Sequence, residues 1–245
     1  MENKRIKETA VKLKRKALRL IRSWNKNICF SLGENCLPDE LLIRYDLKSF
    51  SSPYASARSN VEYILAFEKE RFSAFLDEAW LEYETVAGKK TARNTKYFQT
   101  ENQYHPTCCN GFEFIHHDVL GDGKARKTMR RRCERMLNLR NKSITMLMHH
   151  RLCPATDMEL LLRHLSALAK IYEERNNRVS IILFYQVIIP DESARRVETY
   201  QSGSVRVFTF YTTKEWAGTD EEVLWAKCDD DLIKTMIDSI KSNTF

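Results

Sequence analysis

Six histidines and seven cysteines carry the nucleophilic and proton-transfer chemistry open to this chain, and they are spread unevenly. His116-His117-Asp118 and His149-His150-Arg151 hold four of the histidines in two adjacent pairs. Cys36 lies in "FSLGENCLPDELL", where Gly33 and Asn35 supply a turn and Pro38, Asp39 and Glu40 open a helix. A thiol attacks as the thiolate, and at an ordinary pKa near ~8.5 only a few per cent is ionised at neutral pH. A helix N-terminus and a neighbouring imidazole favour the thiolate, whereas Glu34, Asp39 and Glu40 oppose it. His116 or His117 is expected to carry the proton as general acid–base, and backbone N–H groups around Asn35 and Cys36 to stabilise an oxyanion. Gly33, Asn35, His149, His150 and Arg151 are the expected substrate contacts. The competing structural roles are packing for Cys29, Cys133 and Cys153, satisfied strand-end backbone for the histidine pairs, and a solvated helix face for "KARKTMRRRCER".

The elements that must position these residues are apolar runs alternating with helical periodicity. Strands are expected at 27–32, 111–118, 143–151, 178–189 and 204–212. Helices are expected at 38–45, from a Ser59/Glu62 capping box to 69, at 71–80, 124–139, from a Thr156/Glu159 box to 174, after Thr219, and at 229–242. Residues 84–111 look irregular. Uninterrupted apolar strands between helices predict a mostly parallel sheet covered on both faces, a three-layer αβα domain. Sites in such sheets form beyond the carboxyl ends of the strands, and all three polar clusters follow apolar runs.

The domain body is expected to be a single unit, residues 28–245. Residues 1–27 hold ten Lys/Arg and two Glu, leaving 30 basic against 31 acidic side chains for the rest, so the excess of +7 belongs to the N-terminal segment. Its stripe of Ile6, Ala10, Leu13, Ala17, Leu20 (or Ile21) and Trp24 predicts a basic amphipathic helix. Ile6, Leu13, Leu20 and Trp24 would contact an anionic membrane surface, on the cytoplasmic face. Self-packing is the alternative. A body without a basic excess argues against nucleic acid. An odd number of cysteines without a C-x-x-C pair predicts a reduced chain and no zinc site.

"SLGENC", "LKSFSSPYASARSNVEYI", "ERFSAFLD" and "FIHHDV" with the arginine-rich segment after it resemble, in that order, the bacterial family of putative papain-like cysteine peptidases. That family is often encoded in surface-polysaccharide (capsule or O-antigen) clusters. The resemblance implies Cys36 as nucleophile and His117 with Asp118 as its His-Asp pair. Many members read Pro-Phe-Asp-Trp where this chain has Pro53-Tyr54-Ala55-Ser56. Adjacent strand residues face opposite ways, which favours His116 with Asp118 over His117 with Asp118. The expected function is that of a cysteine-nucleophile enzyme with papain-like peptidase or acyl-transfer chemistry, a hydrolase or transferase passing the acyl group to water or to a sugar hydroxyl, with a glycan or lipid-linked glycan as substrate in surface-polysaccharide biosynthesis. One alternative is a glycan-modifying transferase moving an acyl, glycosyl or phosphoryl group, for instance from an acyl-CoA or nucleotide-sugar donor, without covalent cysteine chemistry. Another is a non-catalytic adaptor of a membrane-bound assembly.

Overall fold

The computed structural model describes residues 26–86 and 88–244. The expected helix and membrane contact of the N-terminal segment therefore lie outside the described residues, apart from Lys26 and Asn27; Asn27 already belongs to the first strand.

In chain order the regular elements are β1 (Asn27–Ser31), α1 (Leu37–Arg44), α2 (Val61–Lys69), β2 (Leu81–Val86), β3 (Lys89–Asn94), β4 (Phe112–Glu113), α3 (Gly123–Leu137), β5 (Ser143–His149), α4 (Met158–Glu173), β6 (Arg178–Ile188), β7 (Arg196–Ser202), β8 (Val205–Thr212), α5 (Glu221–Leu224) and α6 (Asp230–Thr244). Five strands form one sheet in the order β1-β5-β6-β8-β7, parallel except for β7. β2, β3 and β4 form a separate antiparallel sheet.

Alternation along the parallel strands builds two cores. Ile28, Phe30, Ile144, Met146, Met148, Ile181, Leu183, Val205 and Val207 pack with α2, α3, α4 and the small sheet. Cys29, Leu147, Ile182, Phe184, Phe208 and Phe210 point the other way, onto Leu41 and Leu42 of α1 and Ile233, Met236, Ile237 and Ile240 of α6. Burial of both faces is why these strands read as unbroken apolar runs. The expected α/β fold with a mostly parallel sheet is the one observed, with the antiparallel sheet added to it.

Several local expectations are corrected. The stretch read as a strand at 111–118 pairs only at Phe112–Glu113 and then turns, so His116 and His117 lie beyond the small sheet rather than at an end of the large one. Residues 81–94, largely read as irregular, form the β2–β3 hairpin, and the expected helix at 71–80 is a series of turns ending in a short 3-10 segment. Three helix starts fall one residue later than expected. Asn60, Asp157 and Asp220 accept the capping hydrogen bonds from Tyr63, Leu160 and Glu222 N–H. Ser59 Oγ instead donates to the Gly33 carbonyl at 2.9 Å, and Thr156 Oγ1 lies 3.3 Å from His150 Nε2. Hydroxyls read as caps are thus committed to the loops around Cys36. No helix among the described residues is long and apolar enough to cross a membrane.

Candidate active site

Cys36 caps α1 at the carboxyl edge of β1, its backbone already near helical (φ −83°, ψ −10°). The turn before it is held on three sides. Gly33 passes so close to the Tyr54 carbonyl that a Cβ would collide with that oxygen, which accounts for glycine at a position expected to contact substrate. Asn35 Oδ1 accepts from Leu37 N–H at 3.1 Å, which leaves its amide nitrogen facing His149 Nδ1 at 2.9 Å. His149 Nδ1 therefore accepts, and the ring is neutral; burial, with Arg151 and His150 nearby, pushes its pKa down to about 3. Glu34 is fully buried beside the fully buried His150. Its carboxyl accepts from His150 Nδ1 at 2.9 and 3.0 Å and from Arg151 N–H at 3.2 Å.

His149 and His150 thus do not line the space in front of the sulfur. They tie the loop bearing Cys36 to the end of β5, and they border a separate cavity of about 360 Å³ with Gln186, Ile188 and Glu215. The cleft at Cys36, about 210 Å³, has walls of Arg58, Ile115, Arg151, Trp216, Leu224 and Trp225. Arg151 and Trp216 border both spaces.

The imidazole brought to the sulfur is that of His116, whose Nε2 lies 3.6 Å from Cys36 Sγ. His116 is exposed on the turn beyond β4, which approaches from the antiparallel sheet. Arg58 braces this approach: its backbone bridges to Glu113 in both directions, and its Nε pairs with the buried Glu113 carboxylate at 2.6 Å. His117 makes no hydrogen bond to Cys36. It is half-buried near Arg132, and burial and that guanidinium lower its pKa to about 4. The Asp118 carboxylate hydrogen-bonds neither histidine. Its Oδ1 accepts from Tyr83 Oη at 2.8 Å, Gly121 N–H at 2.8 Å and Leu120 N–H at 3.2 Å, so it organises the turn leading into α3. The pairing of Asp118 with His117 or His116 fails for one reason: 115–118 is turn, and strand parity does not apply there.

Electrostatics around the sulfur are mixed. Burial, and secondarily Asp39, push the Cys36 thiol up to about 11, while Arg58 acts in the opposite sense. Asp39 itself is engaged by Lys48 at 2.6 Å and Ser31 Oγ at 2.9 Å. At neutral pH Cys36 therefore rests as the thiol. The backbone N–H of Cys36 has no hydrogen-bond partner among the described residues. All seven cysteines are free, and no cluster of three or more His, Cys, Asp or Glu among the described residues is placed to hold a metal.

Sequence reasoning missed Arg58, Trp216 and Trp225, and it did not give Glu34 its bracing role. Trp216 could have been found by the strand-end rule, because it closely follows β8. Arg58 sits in a loop whose proximity to Cys36 depends on contacts across the fold, and no local signal marks it.

A thiol–imidazole pair above the carboxyl edge of a mostly parallel sheet defines an α/β protein with the equipment for cysteine-based acyl chemistry. The sequence comparison agrees: residues 27–189, more than half of the chain, match the family model described as putative papain-like cysteine peptidase (DUF1796), and the chain belongs to that family. No curated protein and no solved structure matches it.

Proposed function

We propose that the protein is a cysteine-nucleophile acyl-transfer enzyme with Cys36 as nucleophile and His116 as its proton carrier. The observation that carries this reading is the 3.6 Å approach of His116 Nε2 to Cys36 Sγ at the cleft. Family membership supports it.

Sγ attacks an acyl carbonyl while its proton passes to His116 Nε2, and the carbonyl electron pair moves onto oxygen. The free Cys36 N–H is the first donor available to that oxyanion. As the intermediate collapses, the bond to the leaving amine or alcohol breaks and His116 returns the proton to it, leaving a thioester on Cys36. Water or a hydroxyl then attacks the thioester, giving its proton to His116, which reprotonates the departing sulfur. A thiol held near 11 makes the base necessary: little thiolate pre-exists at neutral pH.

The setting we infer is the modification of a glycan or lipid-linked glycan in bacterial surface-polysaccharide assembly, which rests on the family resemblance. Membrane-surface attachment rests on the charge and stripe of residues 1–27. Replacing the chain in its host with Cys36→Ser or Cys36→Ala should abolish the modified glycan while melting stays near wild type. A fully active, normally folded Cys36→Ser protein overturns the reading. Sedimentation with anionic liposomes should show salt-sensitive binding that disappears on deletion of 1–27, and binding that persists moves the contact to the body.

A further inference from the structure

Two arginines stand in the wall of the Cys36 cleft, Arg58 and Arg151. Most of the remaining wall is apolar: Ile115, Trp216, Leu224 and Trp225. Among the described residues the one acidic side chain bordering the cleft, Glu34, is fully buried, with its carboxyl occupied by His150 and the Arg151 N–H. Arg58 engages Glu113 through Nε, and its two Nη groups have no hydrogen-bond partner among the described residues. Arg151 has a weaker hold still: its Nε lies 3.9 Å from the mostly exposed Glu215, beyond hydrogen-bond reach. The guanidinium of Arg151 has no hydrogen-bond partner among the described residues, and it sits at the boundary between the cleft and the neighbouring cavity.

A guanidinium fork held in an apolar, partly desolvated wall is matched by an anionic oxygen pair, a carboxylate or a phosphate. Resting on the nucleophile reading, we infer that the acyl donor is itself anionic: it carries a carboxylate or phosphate near the reacting carbonyl, received by Arg151 with Arg58, alongside an apolar segment received by Trp216 and Trp225. The position of Arg151 between two cavities places the anion where the halves of an extended substrate meet.

The test uses two reagents that alkylate the same sulfur and differ in charge, iodoacetate and iodoacetamide. Rates of Cys36 modification are followed by peptide mass spectrometry and normalised to glutathione in the same buffer. The iodoacetate-to-iodoacetamide rate ratio should exceed that of glutathione by about tenfold at low salt, and fall as salt rises. Arg151→Gln, which breaks no strong contact, should bring the ratio most of the way back; Arg58→Lys should keep part of the preference. Acetate and inorganic phosphate, added as competitors, should slow the iodoacetate reaction. The more effective of the two identifies carboxylate or phosphate as the group recognised. A ratio equal to that of glutathione, or one unchanged in Arg151→Gln, overturns the anionic-donor inference while leaving Cys36 reactive. If neither reagent modifies Cys36, the nucleophile reading falls first and this inference falls with it.

Discussion

Glu34→Ala is the most informative structural perturbation, because Glu34 couples the turn bearing Cys36 to β5. Glu34 and His150 are both fully buried, and the carboxyl takes two donors, His150 Nδ1 and the Arg151 N–H. Truncation leaves both without an acceptor. Each stranded donor costs about 1–3 kcal/mol, so the loss should reach about 3–5 kcal/mol, in line with breaking a buried ionisable pair. For a domain of this size, about 2–4 °C per kcal/mol makes that a drop in Tm of roughly 6–20 °C. Glu34→Gln should cost much less, about 1–2 kcal/mol, because His150 can move its proton to Nε2, where Thr156 Oγ1 lies 3.3 Å away, and accept from the new amide. The assay is thermal and urea unfolding of the three proteins, with iodoacetamide labelling of Cys36 in the folded baseline. Labelling should change in Glu34→Ala, since the sulfur loses its fixed place beside His116. An alanine variant that melts within 2 °C of wild type, or a glutamine variant as damaged as the alanine one, refutes the tether.

His149 should set the acid limit of stability. Its folded pKa is depressed to about 3 from an unfolded value near 6.5, so its contribution is complete above pH 6.5 and is lost as pH falls toward 3. Urea titrations should lose up to about 1.4 kcal/mol per pH unit below 6.5 through His149, with His117, lowered to about 4, adding to the slope above that pH, and His149→Gln should remove the His149 share, most visibly between pH 4 and 3. Asp118→Asn should leave the rate and pH profile of Cys36 alkylation unchanged, because Asp118 bonds Tyr83, Leu120 and Gly121 and neither histidine; a profile displaced by a pH unit would restore it to the site. Gly33→Ala should destabilise by about 1–3 kcal/mol, since backbone must move to relieve the contact with the Tyr54 carbonyl, and a neutral effect in urea unfolding would contradict that packing.

What the residues reveal before folding follows from burial. β5, β6 and β8 are legible because both of their faces are covered, and the apolar run marks them directly. β7 is an edge strand with one partner and charged residues along it, so its sequence resembles a loop. The β2–β3 hairpin is hidden for the same reason: its strands are joined by polar pairing, with Glu82 and Glu84 both engaging Arg93 of the opposite strand, and not by an apolar pattern. The position of Cys36 is legible from its strand–turn–helix setting. The choice between His116 and His117 is not, because it depends on how a turn leaves a two-residue strand. The roles of His149 and His150 were obscured by a true regularity. They do follow a strand, but His149 stacks on Phe184 beside Trp216, and His150 turns to Glu34, so they brace the loop from behind.

The claim on which the rest depends is that His116 serves Cys36, and acylation kinetics on intact protein test it most directly. The chain is mixed with a p-nitrophenyl ester, and nitrophenolate release is followed together with the mass of the protein and the site of the adduct. A thiol raised by burial and served by a neighbouring imidazole should give a burst of nitrophenolate and a single acyl group on Cys36 near neutral pH. His116→Ala should slow that acylation by about 10²-fold or more, with much of the loss recovered at high pH where the thiolate forms unaided. Acylation of Cys36 at an undiminished rate in His116→Ala, or an adduct on another cysteine in the wild-type protein, would contradict the account.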